Sequence, residues 1–138
     1  MATETEYNKP LPDINELTKP YWDAAKRHEL VIQRCSDCGH YRNPPSPNCP
    51  RCLSPNAHWP KLSGRGKVFS WVVFHRVYAP GFANEVPYNV AVVELDEGPK
   101  VISNIIDCKL EDIKVGMPVE VTFEDVTDEV SLTRFRPV

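Results

Sequence analysis

Apolar positions along the 138-residue chain fall into two regimes, with a proline-rich stretch between them. From Lys67 onward, apolar residues recur with the short periods that mark strands. Lys67–Tyr78 is rich in β-branched and aromatic residues. Val68, Ser70, Val72 and Phe74 share one of its faces, and Phe69, Trp71, Val73 and His75 the other. Both faces are largely apolar, as in the strongly curved first strand of a small barrel, and His75 is read as packed. Tyr88–Leu95 and Lys100–Ile106 follow, joined by a hairpin turn at Asp96-Glu97-Gly98-Pro99. Leu110–Val115 is a connection of one turn, and Val119–Glu124 and Val130–Arg136 complete five strands. A mid-chain hairpin and a connector before the fourth strand match the Greek-key barrel of the OB-fold. An SH3-like barrel has the same strand count.

Upstream, residues 1–12 are read as a disordered lead-in and 13–34 as a helical segment. Asp13 and Glu16 have capping-box spacing and predict a short helix through Leu17. Pro20 suits the first turn of a second helix, where its missing N–H goes unused. Tyr21, Ala24, Ala25 and His28 fall on one face of that helix, with Trp22 beside it, and its end is expected near His28 or Glu29. Leu30–Arg34 is a short strand. Residues 35–63 show no periodic segment and carry prolines at 44, 45, 47, 50, 55 and 60, so something other than secondary structure must hold them. Gly64 and Gly66 mark the exit into the barrel, residues 64–138.

The cysteines supply that something. Cys35-Ser-Asp-Cys38 and Cys49-Pro-Arg-Cys52 form C-x₂-C-x₁₀-C-x₂-C. Two residues between paired cysteines let one tight turn present both sulfurs, and two such knuckles give the four donors of a tetrahedral Zn²⁺. An iron site or a redox thiol pair shares the pattern. Four protein ligands leave no open coordination position, so a zinc here holds the fold and does not catalyse. Arg34, Arg42 and Arg51 offset the thiolate charge. His40 and His58 are surplus to the ligand set, and Cys108 has no partner. No run of about 18 apolar residues exists, and the polar N-terminus lacks a signal-peptide core. The expected location is the cytoplasm, where thiols stay reduced.

The net charge of −3 is unevenly spread: −1 over residues 1–34, +4 over 35–67 and −6 over 68–138. Zinc ribbons and OB-folds both serve in nucleic-acid binding, which makes that the alternative function. An OB groove for nucleic acid needs a positive track, and the acidic barrel argues against one. H-E-x-x-H, G-x-S-x-G, P-loop and G-x-G-x-x-G patterns are all missing. Glu124-Asp125 and Asp128-Glu129 look like solvated turn charges. The chain is therefore not expected to catalyse by itself.

Several segments together resemble the family labelled domain of unknown function 35. They are Pro20-Tyr21-Trp22, Leu30 through Gly39, Pro44-Pro45 before Cys49–Cys52, Gly64-Arg65-Gly66-Lys67-Val68, Pro87-Tyr88, Val93 through Gly98, and Ile113 through Val121. The one departure is His28-Glu29, where a glycine-containing turn is expected. The resemblance implies N-terminal helices, a rubredoxin-like zinc ribbon and a C-terminal OB-fold. It implies an accessory subunit for a thiolase-like acyl-CoA enzyme (a thiolase, retro-aldolase or acyltransferase), as in steroid or other lipid degradation. On that reading the partner carries the catalytic nucleophile, and the pair forms a hetero-oligomer with acyl-CoA at or near the interface. Tyr21, Trp22, Arg27 and Arg42 then become candidate contacts to partner or acyl-CoA, a mix of aromatic and basic groups suited to that task. Tyr78 and Phe82, in the first barrel loop 78–87, join them.

Overall fold

The computed structural model describes residues 7–138; the first half of the expected lead-in lies outside the described residues. Residues 7–12 carry no regular secondary structure. Among them Lys9 pairs with Glu85 at 2.5 Å and sits over the Phe82 ring.

One α-helix forms among the described residues, α1 (Lys19–Lys26), where two were expected. Asn15 explains the difference. Its Oδ1 accepts hydrogen bonds from the backbone N–H groups of Leu17 and Thr18 at 2.9 and 3.0 Å, which makes the preceding stretch a turn. Helix α1 closes with the Glu29 N–H on the Ala24 carbonyl and the His28 N–H on that of Ala25, both at 2.9 Å. That closure needs a left-handed residue, normally glycine, and His28 fills it at φ 60°. The imidazole Nε2 lies 2.9 Å from Asp125 Oδ1, and the ring stacks on Phe123. Asp125 also accepts from the Ser131 hydroxyl. It is thus a tether for the helix end and not a free turn charge.

Three very short strands, β1 (Gln33–Cys35), β2 (Tyr41–Arg42) and β3 (Ala57–His58), form a sheet in the order β2-β1-β3. The remaining strands are β4 (Arg65–Phe74), β5 (Tyr88–Leu95), β6 (Lys100–Ser103), β7 (Pro118–Asp125) and β8 (Ser131–Pro137). They make one curled antiparallel sheet, β6-β5-β4-β7-β8, with the five-stranded Greek-key character of an OB-fold. Gly66 lies where β4 pairs with both β5 and β7. A Cβ there would overlap the Glu94 carbonyl oxygen.

The expected faces of the first barrel strand hold only as far as Val68. The register of β4 on β5 slips between Val68 and Ser70, so one extra residue inverts the alternation beyond it. Val68 is buried and Trp71 packs against the same core, while Phe69 and Val72 are exposed. His75, beyond the strand end, is exposed and not packed.

A single apolar core joins both parts of the chain. Leu30, Ile32 and Leu62, which flank the small sheet, pack with Val68, Val93, Val119, Phe135 and others from the barrel. β6 ends early, at Ser103, and the chain then meets β8 through a parallel bridge, Ile105 to Phe135. Buried Asn89 supports this junction. Its Nδ2 donates to the Ile105 carbonyl at 2.8 Å and its Oδ1 accepts the Ile105 N–H at 2.7 Å, so one side chain stands in for a strand partner. Replacing Asn89 by Ala leaves both groups buried and unpaired, and a loss of about 2 kcal/mol or more in urea unfolding is expected. An unchanged unfolding midpoint would show that the bridge to β8 closes the sheet unaided.

Candidate metal centre and adjoining groove

The two knuckles bring four sulfurs together. The Sγ atoms of Cys35, Cys38, Cys49 and Cys52 all lie within 4.8 Å of one another. Cys35–Cys52 and Cys38–Cys49 are each 3.6 Å apart. A tetrahedron with metal–sulfur bonds of about 2.3 Å has edges of roughly 3.8 Å, so the cluster has the size a Zn²⁺ needs. The backbone aims donors at it: the Cys38 N–H faces Cys35 Sγ at 3.5 Å, and the Arg51 N–H faces Cys49 Sγ at 3.4 Å. Gly39, at φ 79°, turns the chain after the first knuckle, and Leu53, at φ 67°, does so after the second.

Electrostatics make the same case. The Cys38 backbone N–H, foremost, draws the Cys35 thiol down to about 5. Although the Ser54 backbone N–H pulls Cys52 the other way, burial and the three neighbouring sulfurs push its thiol up to about 12. Four thiols this close cannot all ionise unaided, because each thiolate opposes the next. A divalent cation at the centre removes the conflict.

Arg42 is not the surface contact the sequence led us to expect. It is 1% exposed. Its Nη1 donates to the Ser46 carbonyl at 3.2 Å and its Nη2 to the carbonyls of Ser54 and Asn56 at 2.8 and 2.9 Å. Its Nε has no hydrogen-bond partner among the described residues; burial disfavours the guanidinium's charge, but the nearby Cys35 and Cys49 sulfurs outweigh it and raise its pKa. One buried cation therefore braces three loop carbonyls and faces an anionic sulfur cluster. Arg34 plays a smaller part, bonding the Gly39 carbonyl at 2.9 Å and lying over Tyr41.

The other candidates divide into two groups. Tyr21, Trp22 and Phe82 line one groove of about 420 Å³ between residues 7–10, α1 and the barrel. Lys9, Tyr88 and Arg134 complete it. The Tyr21 hydroxyl is 2.7 Å from Thr133 Oγ1, and burial pushes its pKa up. Trp22 meets Tyr21 edge-on, and Phe82 stacks on Tyr88. Arg134 is held by Asn104 Oδ1 at 2.5 Å and Glu124 at 3.1 Å. Arg27 lies outside the groove, against the Asp23 carbonyl and Glu29. Tyr78 is also outside, 65% exposed beside Phe74 and Arg76. Lys9 and Arg134 escaped the sequence reading because they sit 125 positions apart, one in an aperiodic lead-in and one on the last strand.

Residues 22–57 match the family described as ChsH2, rubredoxin-like zinc ribbon domain, and residues 59–124 match ChsH2, C-terminal OB-fold domain. A DUF35 domain-containing scaffold protein of Methanocaldococcus jannaschii is 37% identical over 105 residues, 75% of this chain and 74% of that protein. The chain belongs to the DUF35 family. Another relative of this DUF35 chain is a probable enoyl-CoA hydratase alpha subunit of Thermomonospora curvata, 40% identical over 129 residues. That match takes in 94% of the DUF35 chain, which spans only 40% of the hydratase subunit's length. Among solved structures, the Ltp2-ChsH2(DUF35) aldolase resembles it with a TM-score of 0.83 at 39% identity, over 92% of this chain and 98% of that one.

Replacing Arg42 by Met removes the donor from three loop carbonyls while keeping much of the volume. A loss of about 3 kcal/mol or more in unfolding free energy is expected, with Arg42→Lys recovering part of it. Equal stability of the Met variant and the parent would remove Arg42 from the frame of the ribbon.

Proposed function

We propose that this DUF35 chain is a non-catalytic accessory subunit of an acyl-CoA enzyme, held in shape by one structural Zn²⁺. The supporting observation is its likeness, over nearly the whole of both chains, to the ChsH2(DUF35) component of an aldolase named together with Ltp2. The acyl-CoA hydratase relative points to the same general chemistry. The finer assignment is to a thiolase-like or retro-aldolase partner that carries the reacting groups. The groove beside α1 has two cations, Lys9 and Arg134, and five aromatic rings, Tyr7, Tyr21, Trp22, Phe82 and Tyr88. Such a lining suits the charged, ring-bearing end of an acyl-CoA.

Cys35, Cys38, Cys49 and Cys52 would hold the zinc, whose chemistry here is that of a cross-link: it joins two knuckles otherwise tied only by short strands and carbonyl bonds. Substituting Cys35 by Ser is expected to reduce bound zinc from one per chain towards none and to loosen the ribbon. Elemental analysis and melting curves report both effects. Protons compete with the metal for thiolates, so affinity falls as pH falls, and acidification should release zinc to a chromophoric chelator. Metal-free protein with the parent's melting curve would contradict a structural role.

The functional reading is tested by reconstitution. Co-expressed with the Ltp2-like subunit of its own genome, the chain should co-purify in a hetero-oligomer, and acyl-CoA turnover should need both components. Turnover by the isolated chain would overturn the accessory role.

A further inference from the structure

The outward face of β4, β5 and β6 is largely apolar, with Ser70 its one polar side chain between Phe74–Tyr88 and Ile102. Register places Phe74 beside Tyr88, Val72 beside Val90, and Ser70 beside Val92, which in turn adjoins Ile102. The opposite face of β5 carries the buried residues Asn89, Ala91, Val93 and Leu95, so this set must point away from the core. Ile102 is 76% exposed, Val72 54% and Phe69 49%. A solvated antiparallel face normally carries polar residues, and an apolar patch rimmed by charge marks an interaction site.

The rim is positive. At one end Lys67 and Lys100 share the single carboxylate of Glu94, at 3.5 and 3.9 Å, with Lys100 also over the Phe69 ring. Beyond the other end Arg76 lies over Tyr78 and has no carboxylate partner among the described residues. The rim thus carries a surplus of positive charge on a chain whose net charge is −3.

Area and charge decide the occupant. Three strands about 4.8 Å apart, over five residues of about 3.4 Å, give a strip of roughly 250 Å². Two copies joined through it would bury only about 500 Å², short of the roughly 1,000 Å² that a specific interface needs. They would also bring like-charged rims together. A different folded subunit can extend beyond the strip and supply carboxylates to its rim. The strip also continues into the groove, because Val90 and Ile102 line both.

We infer that the β4–β5–β6 face is where the partner enzyme subunit docks, an apolar ridge covering Val72, Val92 and Ile102 with acidic groups beside Lys100 and Arg76. This rests on the accessory-subunit reading and adds the surface on which it operates.

The test compares the full chain with Val72→Glu and Ile102→Glu, singly and combined. Val115→Glu serves as control, 70% exposed in the turn before β7. Each is titrated against the Ltp2-like subunit by sedimentation, after circular dichroism shows that it folds. The combined face variant should weaken binding at least about 30-fold, and Val115→Glu should leave it unchanged. Arg76→Glu should weaken it less, with an effect that fades at high salt. If the folded face variants bind as tightly as the parent, docking is elsewhere and this inference fails while the accessory role stands. Failure of the parent chain to bind sinks the accessory reading and this inference with it. A parent chain that dimerises alone, and becomes monomeric on Ile102→Glu, identifies a second copy as the occupant and overturns the proposal.

Discussion

Residues 35–60 have very little backbone ladder of their own: the last residue of β1, Cys35, and two each of β2 and β3. A segment so rich in proline cannot extend those ladders, since each proline removes a donor. Its shape depends instead on convergence at one point, where four sulfurs lie within 4.8 Å and a buried guanidinium ties three carbonyls of the surrounding loops. The two devices depend on each other. With a divalent cation bound, four thiolates would still carry excess negative charge for the buried Arg42 to offset, and a buried guanidinium needs such charge to offset its own desolvation. Loss of either leaves an uncompensated charge in the middle of the ribbon.

That local constraint reaches the barrel because the ribbon and barrel have one core. Leu30 and Ile32 lead into β1, and Leu62 leads out of the ribbon toward β4, yet all three pack with Val93, Val119 and Phe135. Fixing the knuckles therefore fixes the angle at which the chain enters the sheet. Helix α1 is held from the other side: the Tyr21 hydroxyl meets Thr133, Lys26 donates to the Asp128 carbonyl, and His28 is clamped between Phe123 and Asp125. The groove lies between these attachments. Its walls come from the lead-in, the helix, the first barrel loop and three barrel strands, and none of these could form it alone.

What the sequence made legible was the part governed by local rules. Paired cysteines at two-residue spacing announce knuckles whatever surrounds them. Tyr88–Leu95 alternates cleanly because one of its faces is buried, and its bounds coincide with those of β5. The misreadings occurred where a distant partner overrides the local pattern. A slip between Val68 and Ser70 inverted the faces of β4, and its cause lies in how β4 pairs along β5. Arg42 was legible as a cation beside the thiolates but not as a buried one, because nothing in its own neighbourhood shows that carbonyls at 46, 54 and 56 converge on it. His28 takes a glycine position, and its compensation comes from residues almost a hundred positions away. The capping-box spacing at Asp13 lost to a closer competitor, the Asn15 side chain.

The inverted strand also changes what β4 can do. With strict alternation, Val72 and Phe74 would have joined Val68 inside, leaving Phe69, Trp71 and Val73 outside. The extra residue sends Trp71 inward to complete the core and turns Val72 outward, level with Val90 on β5. A bulge bends a strand and re-aims its side chains, and here it does so next to the strand most buried on its inner face. One residue of register thus sets which side chains of β4 complete the core and which join Val90 on the outer surface.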